Sequence, residues 1–311
     1  MWTANDIPDQ SGKTIVVTGG NSGIGYEAAL QLAGKGARVI LACRDPERGR
    51  AAAAGIKEKS ANATVDFMQL DLASLASIGA FAAAFFEKHS ALNGLCNNAG
   101  VMALPYRKTA DGFEMQFGTN HLGHFALTGL LLERILVTPG ARVVNVSSNA
   151  HRFGAMNFDN LNSEKGYGKW SAYGQSKLAN LLFTYELQHR LAAAKANAIA
   201  VACHPGYAAT NLQAVGPRME GSTLIESITD FGNRFLAQSA VMGALPTLYA
   251  ASAPAVHGGD YIGPDGFLEQ WGHPKKTTSN ARSHDRAAAR KLWELSEELT
   301  SVRYAALSKS N

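Results

Sequence analysis

The chain has 311 residues, of which 46% are apolar and 17% charged, enough for a substantial core in one large domain or two small ones. Its formal net charge of +4 is small, and its 29 basic residues are scattered, which argues against a nucleic-acid scaffold. Three widely spaced cysteines, Cys43, Cys96 and Cys203, are typical of buried reduced thiols rather than of a disulfide framework or a metal site.

Neither the apolar runs nor the amino terminus resembles a membrane or export signal. No apolar run approaches the roughly 18 residues that span a membrane. The first residues lack a basic region followed by an apolar stretch, the pattern of a secretion signal. We therefore expect a cytoplasmic protein without a membrane anchor and without a nucleic-acid partner.

Short apolar runs alternate with helical patterns along the first two thirds of the chain. Strands are predicted at 15–18, 37–43, 64–70, 92–97, 142–147 and 198–203. Helices are predicted between them at about 24–32, 47–58, 74–89, 111–137 and 171–194. Strands that are nearly all apolar are typical of a sheet covered on both faces. The order predicts an α/β fold, a single-domain Rossmann-type doubly wound parallel sheet with helices on both faces.

Beyond residue 206 the pattern is looser. Ligands of open α/β sheets sit beyond the carboxyl ends of the strands, so an apolar insertion at about 207–240 is expected to cover a substrate. A docking surface for a partner or a membrane is the alternative reading of that insertion. A helix at 241–251, a last strand at 260–262 and a carboxyl-terminal helix at about 285–300 complete a single domain over 1–311.

The stretch Ile15–Gly25 reads as a strand, a glycine-rich turn and the start of a helix. Backbone N–H groups at such a helix N-terminus can face a phosphate. In the spacing Gly-x-x-x-Gly-x-Gly, Gly19 would permit the tight turn, Gly23 a close backbone approach, and Gly25 close packing of the helix on the strand. A plain turn remains the alternative.

The end of the second strand bears on the choice between NAD and NADP. An acidic residue there would bind the ribose hydroxyls and repel a 2′-phosphate, but the strand closes with Cys43 and then Arg44, whose donors suit phosphate. NADP is therefore favoured over NAD, although Asp45 could take the acidic part and Arg44 could be a solvated surface charge. Asp71, after the third strand, could hold the adenine amino group or cap the following helix.

Tyr173 and Lys177 are the strongest candidates for chemistry. Four residues apart on a predicted helix, they project from one face and can meet the same small molecule. A fixed ammonium beside a tyrosine favours phenolate, and a positively charged nicotinamide would add to that, so we expect a lowered pKa for Tyr173. Ser147 and Ser148 end the fifth strand on the ligand-binding edge; alternation of side chains would send only one of them toward a cofactor.

Several motifs in order carry a resemblance to a known family: Thr18-Gly19-x3-Gly23-Ile24-Gly25, Asn97-Asn98-Ala99-Gly100, Asn120, Ser147-Ser148, Tyr173-x3-Lys177 and Pro205-Gly206. Together they resemble the short-chain dehydrogenase/reductase family over about residues 10–300. Ala42–Asp45, Asn120–Phe125 and Ser147–His151 resemble its retinol dehydrogenase-like branch, as does the long separation of Ser148 from Tyr173. Animal retinol dehydrogenases commonly carry an apolar N-terminal anchor, which this sequence lacks, so a bulky substrate other than a retinoid is expected.

The resemblance implies roles for the matched positions. Tyr173 would be the acid/base, Lys177 would hold the nicotinamide ribose, Ser148 would polarise the substrate oxygen, and Asn120 would support a proton-relay water. The implied cofactor-binding residues are Thr18, Gly19, Asn21, Ser22, Gly23, Ile24, Gly25, Arg44, Asp71, Leu72, Asn98, Ala99, Gly100, Tyr173, Lys177, Pro205, Gly206 and Thr210. His121 and His124 lie three apart on a helix without a carboxylate or cysteine cluster, so packing roles and no metal are expected.

The sequence thus predicts an NADP-dependent oxidoreductase that moves hydride between the nicotinamide and an apolar carbonyl/alcohol substrate. A C=C reductase of the same family is one alternative, since such enzymes also keep Tyr-x-x-x-Lys. A non-catalytic regulatory protein that senses NADP is another. The resemblance also implies a homodimer or homotetramer that pairs through the helices near 111–137 and 171–194.

Overall fold

A computed structural model describes residues 1–207 and 238–307. Eight strands form one sheet in the order β3-β2-β1-β4-β5-β6-β7-β8. The strands are β1 Thr14–Thr18, β2 Arg38–Cys43, β3 Thr64–Gln69, β4 Gly94–Asn97, β5 Ala141–Val146, β6 Ala198–Cys203, β7 Tyr261–Pro264 and β8 Pro274–Thr277. All neighbours pair in parallel except β7 and β8, which pair antiparallel. The predicted doubly wound, Rossmann-type sheet is confirmed.

Helices connect the strands and cover both faces. They are α1 Gly23–Gly34, α2 Pro46–Lys59, α3 Leu75–Lys88, α4 Gly123–Leu130, α5 Leu132–Val137, α6 Lys169–Ala193, α7 Ala240–Ser252 and α8 Arg286–Thr300. Shorter helical turns occur at Ala4–Asp6, Met115–Phe117, Gly118–Leu122, Asn149–Arg152, Phe158–Asn160, Phe267–Glu269, Ala281–His284 and Ala305–Leu307.

Successive residues of β1 point to opposite faces of the sheet. Val16 belongs to the core shared with Phe81 and Phe125, on the side of α3 to α6. Ile15 and Val17 belong to the other core, which contains apolar residues of α1, α2 and α7. Both faces are therefore buried, which explains why the strand is apolar at every position.

The carboxyl-terminal segment closes one of these cores. The rings of Trp293, on α8, and Tyr304 lie 4.5 Å apart at an angle of 57°, and both pack on Phe125 and Phe183. The Tyr304 hydroxyl donates to the Phe125 carbonyl at 2.7 Å. The helix predicted at 285–300 is present and packs against α4 and α6.

The prediction of one continuous helix over 111–137 is wrong. The segment starts at Met115, widens into a π-helical turn at Gly118–Leu122, and breaks again between α4 and α5. Gly123 lies directly against Leu72, where an added Cβ would come within 2.4 Å of the Leu72 carbonyl oxygen. A π-helical turn of this kind typically marks a functional site, and here it carries Asn120.

The sequence did not predict β8. This strand contains Lys275 and Lys276, which are exposed, and it forms the antiparallel edge of the sheet. Charged edge strands lack the apolar signature by which buried strands are found. The insertion expected at 207–240 lies almost entirely outside the described residues.

Two further features concern the environment of the chain. The three cysteines are free and buried. Within residues 1–207 and 238–307, none of the helices combines the length and the apolar character needed to cross a membrane.

Candidate active site

A cleft opens at the carboxyl ends of β1, β4, β5 and β6. Its walls come from the glycine turn after β1, the loop after β4, the end of β5, helix α6 and the turn after β6. The lining residues are Gly19, Asn21, Ser22, Gly23, Ile24, Gly25, Asn98, Ala99, Gly100, Met102, Val146, Ser147, Ser148, Tyr173, Lys177, Pro205 and Gly206. Most of the residues predicted to bind a cofactor or to act in catalysis thus meet in one place.

The glycine turn is shaped by close approaches that a side chain would block. Gly19 has φ +66°, and an added Cβ would stand 3.1 Å from Ala99. At Gly25 a Cβ would stand 2.5 Å from the Gly19 carbonyl oxygen, so helix α1 packs directly on the turn. Ser22, the N-cap of α1, makes no side-chain hydrogen bond to the first turn of its helix. The N-terminus of α1 therefore faces the cleft without a side-chain cap, which fits the pyrophosphate of a dinucleotide.

Thr18 lies beneath the cleft rather than in its wall, and its side chain is fully buried. Its hydroxyl oxygen accepts hydrogen bonds from the backbone N–H groups of Asn98 and Ala99, both at 2.9 Å. The Asn98 amide donates in turn to the Thr18 carbonyl at 2.9 Å. Thr18 thus shapes the loop after β4 that lines the cleft.

Tyr173 and Ser148 form the reactive pair of the cleft. Both side chains line the cleft, and the Ser148 hydroxyl is near enough to that of Tyr173 to lower its pKa. Tyr173 is only 5% exposed, and burial raises its pKa to about 12, an effect that the Ser148 hydroxyl opposes. Trp170 stands edge-on to the Tyr173 ring at 6.3 Å. The protein groups alone therefore keep the phenol protonated.

Lys177 lies behind Tyr173, with its ammonium 5.7 Å from the centre of the tyrosine ring. Its Nζ donates to the Val146 carbonyl at 3.2 Å, and burial lowers the pKa of Lys177 to about 8. The sequence led us to expect a lowered pKa for Tyr173 from two cations, Lys177 and a bound nicotinamide; in the polypeptide alone, burial raises that pKa instead. Desolvation disfavours both charged forms, and it outweighs the attraction between them.

The two serines at the end of β5 have different partners. The Ser147 hydroxyl donates to the Lys177 carbonyl at 2.8 Å and so fixes β5 against α6. Ser148 meets Tyr173 and also accepts from the Ala150 N–H at 3.2 Å. The alternation argument, which allowed only one serine to face the cofactor, is consistent with this division.

Asn120 is fully buried, and its side-chain amide holds two segments together. Its Oδ1 accepts from the Val101 N–H at 2.7 Å, while its Nδ2 donates to the Val101 carbonyl and to Ser176 Oγ, both at 2.9 Å. A Cβ at Gly100 would stand 3.1 Å from Asn120 Oδ1 and 3.5 Å from Lys177 Nζ, so these groups border the same point of the cleft.

The residues at the far end of the predicted cofactor site lie outside the walls of the cleft. Arg44 is exposed at the end of β2. Asp45 is occupied as the N-cap of α2, accepting from Glu47 N at 3.0 Å and Arg48 N at 3.1 Å. A shallow depression beside the glycine turn is lined by Asn21, Ser22, Tyr26, Arg48, Ala51 and Ala52.

Two other predicted cofactor residues, Asp71 and Leu72, also lie outside the walls of the cleft. Asp71 accepts from Ala73 N at 3.0 Å, in the turn before the helix, and Leu72 is buried against Gly123. Thr210 lies outside the described residues.

Sequence reasoning missed Met102 and Val146 in the cleft wall and the support behind them. Gln116 Oε1 accepts from Ala103 N at 2.7 Å, and Gln116 Nε2 donates to the Tyr167 hydroxyl at 2.8 Å. Val146 could have been found as the residue before Ser147 at the end of a strand. Gln116 carried no signal, because its role depends on a break in a helix that was predicted to be continuous.

The remaining candidate, a metal site, finds no support in the geometry. Among the described residues, no three His, Cys, Asp or Glu side chains are grouped so as to hold a metal ion.

The family model for short chain dehydrogenase matches residues 13–220 of the chain. The chain belongs to the short-chain dehydrogenase family. It is 43% identical to human retinol dehydrogenase 12 over 295 residues, a match that covers 94% of this chain and 88% of the relative. It is 43% identical to human retinol dehydrogenase 13 over 298 residues, covering 94% and 85%.

One solved structure is similar to this short-chain dehydrogenase in both sequence and fold. It is an uncharacterized protein from Mycobacterium paratuberculosis with 43% identity, which aligns with a TM-score of 0.78 over 97% of this chain and 98% of that one. The relatives support the resemblance to the retinol dehydrogenase-like branch. They make this chain a member of an oxidoreductase family that uses nicotinamide cofactors.

Proposed function

We propose that this short-chain dehydrogenase is an NADP-dependent oxidoreductase that interconverts an apolar carbonyl compound and its alcohol. The observation that carries the proposal is the meeting of three side chains in the cleft that begins at the glycine turn: Tyr173 and Lys177, both buried, and the half-buried Ser148. The cofactor, when bound, supplies or accepts the hydride. The catalytic set is Asn120, Ser148, Tyr173 and Lys177.

The protein's own task is to bind the substrate oxygen and to move its proton. Ser148 and Tyr173 present two hydroxyl groups to one point, where a carbonyl oxygen can accept from both. The raised pKa of Tyr173, about 12, keeps its proton in place at neutral pH, which suits donation to a carbonyl oxygen in the reducing direction. Lys177, whose pKa burial lowers to about 8, is suited to exchange a proton near neutral pH and so to replenish the site.

The preference for NADP is supported by the residues after β2. Arg44 offers a fork of donors that suits a phosphate, and Oδ1 of Asp45 is used in capping α2, while its Oδ2 lies 3.8 Å from Arg48. Arg48, in the depression beside Ser22, adds a second cation on the same side. Sequence reasoning had not singled out Arg48, although its place one turn into α2 would have suggested it.

An apolar substrate is supported by the rim of the cleft and by the relatives. Met102 lines the cleft, Trp170 is half exposed at the edge of Tyr173, and Phe153 is exposed close to Gly174 of α6. Large exposed apolar side chains around a polar reactive pair favour a bulky apolar substrate. The relatives named above are retinol dehydrogenases, whose named substrate is an apolar alcohol.

The test follows NADPH absorbance with a panel of apolar aldehydes, ketones and enones. We expect turnover of an aldehyde or ketone. Turnover of enones alone would indicate a C=C reductase, and tight NADPH binding without turnover would indicate a sensor of NADP; either result contradicts the proposal.

The cofactor preference is tested separately with Arg44→Ala. We expect kcat/KM for NADPH to fall by about 10- to 100-fold while that for NADH is unchanged, because a charged hydrogen bond to phosphate is lost. Arg50→Ala is the matched control, since Arg50 stacks on Phe67 instead. An equal loss with both cofactors would contradict the assignment of Arg44.

A further inference from the structure

His124 is buried in α4 at 1% exposure, yet both of its ring nitrogens have partners at the cleft. Its Nδ1 lies 3.0 Å from the Asn120 carbonyl oxygen, and its Nε2 lies 2.9 Å from the Thr18 hydroxyl. One imidazole thus joins the end of β1, beneath the glycine turn, to the π-helical turn that carries Asn120. Packing alone, the role expected from the sequence, does not explain two hydrogen bonds to these two residues.

The direction of each hydrogen bond follows from what the partners can do. A carbonyl oxygen only accepts, so His124 Nδ1 carries the proton and donates to Asn120. The Thr18 oxygen already accepts from the N–H groups of Asn98 and Ala99, which uses both of its lone pairs. Thr18 therefore donates to His124 Nε2 rather than to the Cys96 carbonyl, which is more distant at 3.3 Å.

This arrangement requires a neutral ring. A protonated His124 would direct an N–H at a hydroxyl oxygen with no lone pair left. Burial is consistent with this, since together with a smaller effect of the nearby Lys177 it lowers the pKa of His124 to about 4, against the raising effect of the hydrogen bond to the Asn120 carbonyl. The tautomer is thus fixed at all pH values at which the enzyme would work.

We propose that His124 is a positioning residue that couples the cofactor side of the cleft to its proton-transfer side. Through Nε2 it orients the Thr18 hydroxyl, and with it the N–H groups of Asn98 and Ala99 in the cleft wall. Through Nδ1 it holds the main chain at Asn120, whose side chain clamps Val101 and Ser176 next to Lys177. The role of Nε2 at Thr18 concerns cofactor binding, which can be measured without turnover. Only the role of Nδ1 at Asn120 rests on the proposed function.

His121, one turn earlier, is the natural comparison. It is buried to the same extent, but its Nε2 pairs with Ser296 of α8 at 2.9 Å. Its ring stacks among Phe117, Phe125 and Phe183 in the core. His121 therefore reports what an interior histidine contributes to stability without contact to the cleft residues.

Two conservative variants separate the two hydrogen bonds. Asparagine places an amide donor near the position of Nδ1, so His124→Asn keeps the bond to Asn120 and loses the partner of Thr18. Glutamine places its terminal amide near Nε2, so His124→Gln keeps the partner of Thr18 and loses the bond to Asn120. Each removes one buried hydrogen bond, and for His124→Asn the Thr18 hydroxyl turns to the more distant Cys96 carbonyl at 3.3 Å; we expect each loss to correspond to about tenfold in an equilibrium or a rate.

The experiment measures NADPH affinity by fluorescence titration, kcat at saturating NADPH, and Tm. For His124→Asn we expect the Kd for NADPH to rise about tenfold with kcat within about twofold of the parent. For His124→Gln we expect the reverse, an unchanged Kd and a kcat that falls about tenfold. His121→Asn and His121→Gln should lower Tm and change neither quantity.

The same changes in Kd and kcat for both His124 variants would overturn the proposal, as would a loss of Tm with both quantities unchanged. If one variant does not fold, the other still tests the proposal, because it should change only one of the two quantities, Kd for NADPH or kcat. A parent enzyme without turnover would contradict the proposed function, while the Kd comparison would still support or overturn the bond to Thr18.

Discussion

The two ends of the cleft are built from different materials. At the glycine turn the working groups are backbone N–H donors, and what matters is the absence of side chains at Gly19 and Gly25. At the other end the working groups are side chains: Tyr173 and Lys177 are buried and desolvated, and Ser148 is half-buried beside Tyr173. Cofactor binding thus depends on the room left by Gly19 and Gly25, and proton transfer depends on the positions of the polar side-chain atoms.

This difference predicts that substitutions at the two ends fail in different measurements. Loss of space at the turn reduces cofactor affinity and stability together, since the same close packing provides both. Loss of a polar atom at the reactive pair reduces turnover and spares affinity. The predictions below test that separation, beginning with the largest effect.

Removing the Tyr173 hydroxyl should separate turnover from binding most clearly. Tyr173→Phe loses the proton donor, and general acid catalysis is worth about 10²- to 10⁴-fold, so we expect kcat to fall about a thousandfold. The Kd for NADPH, measured by fluorescence titration, should stay within about threefold.

Tyr185→Phe is its control on the same helix, since that hydroxyl pairs with Ser279 away from the cleft. It should leave kcat unchanged. A Tyr173→Phe enzyme that turns over as fast as the parent would contradict the assignment of the Tyr173 hydroxyl as the proton donor.

The serine pair tests whether position or chemistry matters at the end of β5. Ser148→Ala removes one of two donors to the substrate oxygen, and we expect kcat to fall by about 10²-fold. Ser147→Ala removes the bond to the Lys177 carbonyl and should instead lower the free energy of unfolding by about 1 kcal/mol. Steady-state kinetics and urea unfolding of both variants decide it. A larger kinetic effect at Ser147 would reverse the assignment of the two roles.

At the other end of the cleft, Gly25→Ala tests the role of space. Its Cβ would meet the Gly19 carbonyl oxygen, a backbone atom that cannot move aside cheaply. We expect the Kd for NADPH to rise more than about tenfold and the stability to fall by about 1–3 kcal/mol.

Gly79→Ala in α3 is the matched control, since its Cβ would meet nothing within 4 Å. It should stabilise the protein by roughly 0.5–1 kcal/mol, as alanine does in a helix. Thermal unfolding and NADPH titration measure both effects, and normal NADPH affinity in Gly25→Ala would show that the turn has room to spare.

The smallest expected effect concerns stability at Lys177. Burial lowers its pKa in the folded protein to about 8, from an ordinary lysine value of 10.5, so the folded state disfavours the charged ammonium at neutral pH. Lys177→Met should therefore abolish turnover yet raise Tm at pH 7 by roughly 2 °C. The Val146 carbonyl stays satisfied by Asn180 Nδ2 at 3.2 Å.

The pH dependence gives the sign. Between pH 8 and 10.5 the unfolded chain holds the Lys177 proton and the folded chain releases it, so the parent gains stability as pH rises. The Tm advantage of the variant should shrink over that window, by calorimetry at pH 7, 9 and 10.5. A constant difference would mean that the buried amine is not destabilising.

The sequence predicted seven of the eight strands and most of the lining of the cleft, because β-branched runs and glycine spacing act locally. It did not predict β8, whose edge position permits lysines, or the π-helical turn at Gly118–Leu122, next to Gly123 where the chain packs on Leu72. The rise in the pKa of Tyr173 was also missed. The sequence shows that a lysine lies four residues from Tyr173. It does not show how completely the folded chain removes the tyrosine from water.

The most direct test of the central claim follows a deuteride from 4-deuterated NADPH into an apolar aldehyde or ketone, with the product analysed by mass spectrometry. We predict one deuterium on the carbon that bears the new hydroxyl group. Deuterium at a carbon of a former C=C bond, or none in the product while NADPH binds tightly, would contradict the account.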